Sequence, residues 1–308
     1  MDVGNAIYET PLVSIVITAY NRSTYLEDTL NSIQNQTYKN LEILVVDDGS
    51  SPEEAVKNKL LCENFDKCTY YYKTNSGQPD SRNYGIKRSK GQFIAFCDDD
   101  DYWALDKLEK QVAVLILNPE YGLVTGSIEC INEDGSKTGV IKSHKGHNHG
   151  YVFSDFLFKN RIASPAPMLR KEVFNKAGYF NPTFTIGEDW EFWRRVSYYY
   201  KFYALPDVVG YLRLHDNNMS KSRVSDPIEY FLLYRKLTKT ILDWGKNIFD
   251  ENEQRLIFKT EWQTYKKLLI NHCPGVINKV VLLKRIAKNN IKDAAHLMAL
   301  YVKHELLV

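Results

Sequence analysis

The 308 residues are 44% hydrophobic, 13% aromatic and 25% charged, with 40 Lys and Arg against 38 Asp and Glu. Such a chain can bury a sizeable core as one large domain or a domain with an appendage, and the balance excludes a disordered or low-complexity class. The near-neutral total of +2 gives no ground for a nucleic-acid partner.

The charge is unevenly spread. Residues 221–308 hold 16 Lys and Arg against 9 Asp and Glu, leaving 24 against 29 before them. The acidic body and basic tail suggest peripheral contact of the tail with an anionic surface such as a membrane leaflet. Cys62, Cys68, Cys97, Cys130 and Cys273 are odd in number and form no C-x-x-C pair, so they read as reduced thiols. No apolar stretch has the length of a bilayer span, and the first residues show no basic and apolar leader. The expected location is the cytoplasm, with the inner face of the cell membrane within reach of the tail.

Val13 to Ala19 is β-branched and almost wholly apolar, as expected for a strand covered on both faces. It ends at Tyr20-Asn21-Arg22. Thr24 with Glu27 then fits a helix capping box, and Leu26, Leu30 and Ile33 share one helical face. Leu41 to Val46 repeats the strand and Asp47-Asp48-Gly49-Ser50 the loop. Ser51, Pro52 and Glu54 then give an N-cap, a first-turn proline and a box closure. Thr69 to Tyr72 predicts a third strand, and Asp80 to Ser89 a helix that Gly91 ends in a left-handed cap. The βαβα order implies a parallel sheet, in which ligands bind beyond the carboxyl ends of the strands.

Phe93 to Cys97 is a fourth buried strand, and it delivers four consecutive aspartates, Asp98 to Asp101, to one strand end. Crowded carboxylates raise one another's pKa, and a divalent cation shared with phosphate oxygens relieves the conflict. A metal and phosphate site follows from that conflict, with an ordinary acidic turn as the plainer alternative.

Beyond the quartet, Leu108, Val112 and Leu115 mark a helix, while Leu123 to Ile131 and Lys137 to Ile141 form a hairpin turning at Asp134-Gly135. From Pro227 onward the pattern is helical, with Leu232, Leu233, Leu237 and Ile241, and later Leu282, Leu283, Ile286, Ala287, Ala294 and Leu297, at helical spacings. His144, His147 and His149 lie in a Gly- and Lys-containing loop without a flanking acid or Cys, so they read as part of a flexible loop, not a metal cluster.

Five segments occur in a telling order: Pro11 to Arg22, Val46 to Ser50, Ser81 to Gly85, Phe96 to Trp103, and Gly187 to Trp193. Together they resemble family 2 glycosyltransferases of the GT-A fold over about residues 11–220. The resemblance implies an α/β fold, a Rossmann-like, mixed and mostly parallel sheet flanked by helices. The catalytic domain would span residues 1–220, with a nucleotide-binding half (about 11–105) and an acceptor-side half (106–220), and a helical extension would occupy 221–308. It implies an inverting, metal-dependent transfer of a hexose-type sugar from a nucleotide-diphosphate donor, a UDP-sugar by preference, to a glycan or lipid-linked glycan in cell-surface polysaccharide synthesis.

Residue by residue, the resemblance puts Tyr20, Asn21 and Asp48 on the nucleobase and ribose, with Asp48 reading the base. Arg82 would meet donor phosphate or base, with Asn83 adding a polar contact. Asp98 falls near the ribose and metal, and Asp100 on Mg²⁺ or Mn²⁺. The fourfold run leaves Asp99 and Asp101 as alternative registers. Asp189 takes the role of base, Glu188 faces donor or acceptor hydroxyls, and Trp190 joins the nucleotide-sugar site. Tyr211-Leu212-Arg213-Leu214-His215, followed by Ser220, matches a later element that brings His215 toward metal or diphosphate and Arg213 toward the phosphates. Two other readings stay open. A nucleotidyltransferase would share the sheet and acids but present a Gly-rich basic loop where this chain has Tyr20-Asn21-Arg22. A non-catalytic nucleotide-sugar binding module would lack the base. Sugar, acceptor, linkage, metal and oligomeric state are not encoded in these motifs.

Overall fold

A computed structural model describes residues 10–142, 149–216, 218, 227–272, 284, 286–287 and 291–301. These residues form two compact units. One runs up to Val152 and resumes over Arg161–His215, and the other joins Phe153–Asn160 to the residues from Asp216 onward. His144, His147, Ser220, Cys273, Leu282 and Leu283 lie outside the described residues.

The first unit is built on one nine-stranded sheet. Its parallel half comprises β1 (Val13–Ala19), β2 (Leu41–Asp47), β3 (Cys68–Tyr72) and β4 (Phe93–Asp98), connected through α1 (Ser23–Gln34), α2 (Pro52–Glu63) and α3 (Gln78–Arg88). The other half holds β5 (Tyr102–Trp103), β6 (Tyr121–Ile131), β7 (Lys137–Lys142), β8 (Met168–Arg170) and β9 (Lys201–Arg213), with α4 (Lys107–Leu117), α6 (Val173–Ala177) and α7 (Glu188–Tyr199). The order is β3-β2-β1-β4-β8-β6-β9-β5, with β7 on β6. The parallel sheet, the hairpin at Gly135 (φ 85°) and the change to mixed topology all agree with the sequence pattern.

Every residue of β1 is buried, because helices cover both faces of the central strands. Leu26, Leu30 and Ile33 of α1 join Val13, Ile15, Ile17 and Leu108 in the main core. Two expected helix ends differ, and one expected capping box is incomplete. α1 starts at Ser23, one residue before the expected box, and its first turn is satisfied from another element: Ser23 N–H donates to Glu54 Oε2 at 3.0 Å. The box in α2 stays open, because Ser51 N–H donates to Asn21 Oδ1 at 2.8 Å and not to Glu54. Ser51 still caps that helix, accepting from Glu54 N–H at 3.4 Å. α3 ends at an extended Ser89 and not in a left-handed glycine. A Cβ on Gly91 would lie 2.6 Å from Leu12 O, so glycine is required there for close backbone approach.

In the second unit, α5 (Phe153–Phe158) accompanies α8 (Pro227–Trp244), α9 (Glu251–His272) and α10 (Ile291–Tyr301). Glu261 of α9 is fully buried and draws three helices together. Its Oε1 accepts from Tyr265 OH (2.6 Å) and pairs with Arg235 Nη1 (3.2 Å), while Oε2 lies 2.9 Å from His296 Nε2. A buried carboxylate so partnered fixes helix register, since slippage would strand a charge in the interior.

Within the first unit, Gly85 carries the close packing of α3 on β1. A Cβ there would fall 2.5 Å from Val16 Cγ1. Gly85→Ala is expected to lower stability by about 1–3 kcal/mol through overpacking, read as a reduced urea midpoint at unchanged m-value.

Candidate active site

Three strand ends meet along one edge of the sheet. In parallel register Ala19 stands opposite Asp47 and Thr18 opposite Asp98, so residues 20–22, 47–50 and 98–101 emerge side by side. Asn21 stitches the first two loops. Held in the left-handed region at φ 53°, which Asn tolerates, it donates its N–H to Ser50 Oγ (2.9 Å) and accepts from Ser51 N–H at Oδ1 (2.8 Å).

The two acids of the second loop are both buried and differ in their partners. Asp47 is fully buried and accepts from Ser50 N–H, Asn58 Nδ2 and Tyr70 OH, each at 2.8 Å, so it is an internal strut. Asp48, 6% exposed, faces the next turn: Oδ1 accepts from Lys73 Nζ (2.7 Å) and Ser76 N–H (3.0 Å), and Oδ2 from Gly77 N–H (2.8 Å). A carboxylate has about four acceptor positions, so this one keeps capacity for a further donor. The Tyr20 ring beside it is half exposed.

The four aspartates split into distinct environments. Asp98 Oδ1 accepts from Gln78 Nε2 (2.7 Å) and Arg82 Nη2 (3.0 Å). Asp99 accepts from Tyr20 N–H (2.9 Å) and pairs with Arg22 Nη1 (3.2 Å). Asp100 Oδ2 is shared by Arg22 Nη1 at 2.5 Å and His215 Nε2 at 2.9 Å. Asp101 Oδ1 accepts from Arg213 N–H (3.0 Å), while its Oδ2 is buried without a hydrogen-bond partner. Burial, reinforced by the Asp100 charge, pushes the Asp99 and Asp101 carboxyls well above the usual range. Burial and crowding of the four carboxylates thus work against full ionisation of the loop.

α7 brings the second acidic pair. It begins after Gly187, in the left-handed region at φ 74°, and puts Glu188 and Asp189 in its first turn, where the helix dipole favours them. Glu188 is buried and pairs with Arg82 Nη1 at 3.1 Å. Burial, with the neighbouring Asp189 charge, pushes it up to about 7 despite that arginine. Asp189 is half-buried, and its Oδ1 accepts from Trp190 N–H at 2.6 Å. Arg82, 4% exposed, therefore bridges Asp98 to Glu188 and also donates to Ser164 Oγ at 3.0 Å.

The structure brings Asp100 to His215, Arg82 to both Asp98 and Glu188, and Asn21 to the Asp48 loop. It does not expose Trp190 to solvent: that residue is 6% exposed, with the Arg194 guanidinium 4.8 Å from its ring centroid. Nor is Arg213 turned to solvent. It donates to Asp100 O and Glu133 O and pairs with Asp28, bracing the acidic loop from within. Asn83 instead makes reciprocal hydrogen bonds with the Phe180 backbone. Lys73, Gln78 and Ser164 enter the site unannounced, since they lie in no motif and only the fold brings them near the acids. His149, the described member of the histidine loop, sits 3.2 Å from Tyr121 OH.

The donor chemistry fits a hard divalent cation: carboxylate oxygens of the quartet, an imidazole on Asp100, and one buried carboxylate oxygen without a partner. Among the described residues no group of three or more His, Cys, Asp or Glu side chains is arranged to hold a metal ion by itself. A cation held by Asp100 and His215 would thus take its remaining ligands from diphosphate and water, as Mg²⁺ and Mn²⁺ sites at phosphates do.

Because Glu188 is protonated more readily folded than unfolded, it adds stability below the unfolded value near 4.5 and loses it as pH rises through about 7. Glu188→Gln removes that loss while keeping an acceptor for Arg82. Urea titrations should show the variant gaining about 1–3 kcal/mol on the parent chain between pH 4.5 and 8, and parallel curves would contradict the assignment.

Residues 14–178 match the family model described as "Glycosyl transferase family 2". An uncharacterised glycosyltransferase of Haemophilus influenzae is 33% identical over 221 residues, 68% of each chain. One from Rickettsia typhi is 29% identical over 238 residues, 75% of this chain and 74% of the relative. Against a third, from Rickettsia conorii, identity is 33% over 62% of this chain, which spans only 32% of that longer protein. Among solved structures, residues 1–349 of Staphylococcus aureus TarS, crystallised with UDP-GlcNAc, align with a TM-score of 0.65 at 20% identity, covering 84% of this chain and 73% of that one. The mannosyltransferase PcManGT of Pyrobaculum calidifontis, solved with GDP-Man and Mn²⁺, aligns at 0.57 and 17% identity, covering 96% and 87%. The fold is the GT-A type expected from the motifs. With more than half of its length matched by that model and the motif loops gathered at one sheet edge, the chain belongs to glycosyltransferase family 2.

Proposed function

We propose that this chain moves a sugar, with inversion, from a nucleotide-diphosphate donor to a hydroxyl of a glycan or lipid-linked glycan in cell-surface polysaccharide synthesis. The observation that carries this reading is the Asp100–His215 contact at 2.9 Å, directly beside the loops that carry Asp48 and Tyr20. The related structures solved with UDP-GlcNAc and with GDP-Man support a nucleotide-sugar donor as a class. UDP is favoured because the Asp48 carboxylate can accept the uracil N3–H, with the Tyr20 ring packing on the base.

Asp100 and His215 would hold Mg²⁺ or Mn²⁺, with Asp98 on the ribose side. When bound, the cation supplies positive charge to a diphosphate that gains negative charge on leaving. Arg82 holds Asp98 and Glu188 in fixed relation. Asp189 accepts the proton of the acceptor hydroxyl as that oxygen forms its bond to the anomeric carbon. The bond from the anomeric carbon to the diphosphate oxygen breaks on the opposite face, and the nucleoside diphosphate departs with the electron pair.

No described helix is long and apolar enough to cross a membrane. Cytoplasmic action at the membrane's inner face, through basic tail residues such as Lys284, Arg285 and Lys288, belongs to the same proposal; Arg285 and Lys288 lie outside the described residues. Replacing these three with glutamine is expected to weaken sedimentation with anionic vesicles.

Asp189→Asn is expected to reduce transfer by about 10²–10⁴-fold, with donor affinity by calorimetry within about twofold of the parent. Full turnover in that variant would reject Asp189 as the base. With UDP-sugar and Mn²⁺, release of UDP supports transfer. Pyrophosphate formation would instead indicate nucleotidyl chemistry, and binding without turnover a non-catalytic module.

A further inference from the structure

Arg22 has no place in the mechanism above, yet it makes the shortest ion pair of the acidic loop. Its Nη1 lies 2.5 Å from Asp100 Oδ2 and 3.2 Å from Asp99 Oδ1. Asp100 Oδ2 is also the atom that His215 Nε2 approaches at 2.9 Å. A guanidinium nitrogen and an imidazole nitrogen thus share one carboxylate oxygen of Asp100.

Exposure is asymmetric within this cluster. The Arg22 side chain is 26% exposed, against 5% for Asp99 and 7% for Asp100. The acids are fixed from below: Tyr20 N–H holds Asp99, and the Thr29 hydroxyl lies within 3.1 Å of Asp99 O and 2.7 Å of Asp101 O. Arginine is the outer and longer member, attached at the residue preceding α1, so it can leave while the carboxylates stay. A divalent cation on Asp100 would face a like charge at contact distance if Arg22 remained. A diphosphate entering with the cation offers the guanidinium a new anionic partner with matching bidentate geometry.

We propose that Arg22 is an internal counter-cation: it neutralises Asp99 and Asp100 in the donor-free chain and transfers to the donor diphosphate when cation and nucleotide enter together. Arg22 is then a positioning residue that makes cation uptake depend on nucleotide, protecting the acidic loop from metal alone. This rests on the nucleotide-diphosphate and metal reading of the site.

The test is Mn²⁺ titration of the full chain, followed by the electron paramagnetic resonance signal of free Mn²⁺, with and without saturating UDP. Without nucleotide, Arg22→Gln is expected to bind Mn²⁺ about fivefold or more tightly than the parent, since the competing charge is gone. With UDP that advantage should vanish, and UDP affinity in Mn²⁺ should fall by about tenfold through loss of a charge-assisted phosphate contact. Arg22→Lys keeps charge without the fork and should fall between the two. It also serves if the glutamine variant fails to fold by circular dichroism.

Nucleotide-free Mn²⁺ affinity that is equal to or weaker than the parent's in a folded variant overturns the Arg22 inference alone, provided the parent takes up Mn²⁺ with UDP. No Mn²⁺ uptake by any of the proteins, with or without UDP, overturns it together with the metal-dependent reading.

Discussion

The structure depends on how four adjacent carboxylates are made tolerable at the end of a buried strand. Residues 98–101 would repel one another severely in a low-dielectric setting if all were ionised and unpaired. Different devices resolve this at each position: Arg82 and Gln78 at Asp98, Arg22 at Asp99 and Asp100, and the Arg213 backbone at Asp101. Burial and the Asp100 charge still hold the Asp99 and Asp101 carboxyls well above the usual range. The arginines come from the loop after β1, from α3 and from the end of β9, so neutralising the quartet also ties together distant parts of the sheet.

Much of this was legible in the sequence. The buried strands, the parallel order and the convergence of the Tyr20, Asp48 and Asp98 loops followed from apolar runs that end abruptly in polar residues. Helix boundaries were less so. The capping box expected at Thr24 fails because Glu54, distant in sequence, supplies the acceptor for Ser23 N–H. Local patterns describe only local partners, and a cap taken from another helix leaves no trace at fixed spacing.

The same limit applies within the site. Asp47 and Asp48 are neighbours of identical chemistry, and only the tertiary fold separates the buried strut from the acid that faces the Lys73 turn. Arg213 and Asn83 sit inside motif segments yet spend their hydrogen bonds on the protein itself. Trp190, beside the acidic pair, packs inward because consecutive helical positions point about 100° apart. The motif segments converge in space, whereas side-chain direction and burial set which partners each member meets.

One consequence follows from the position of Arg82. Its guanidinium spans Asp98 at the tip of β4 and Glu188 at the start of α7, two segments 90 positions apart in the chain. The tip of β4 and the start of α7 are therefore held together through a single flat cation. Drift in either segment is constrained by the other at this point, so a replacement that displaced Asp98 would disturb the start of α7 as well unless a second replacement re-established the bridge.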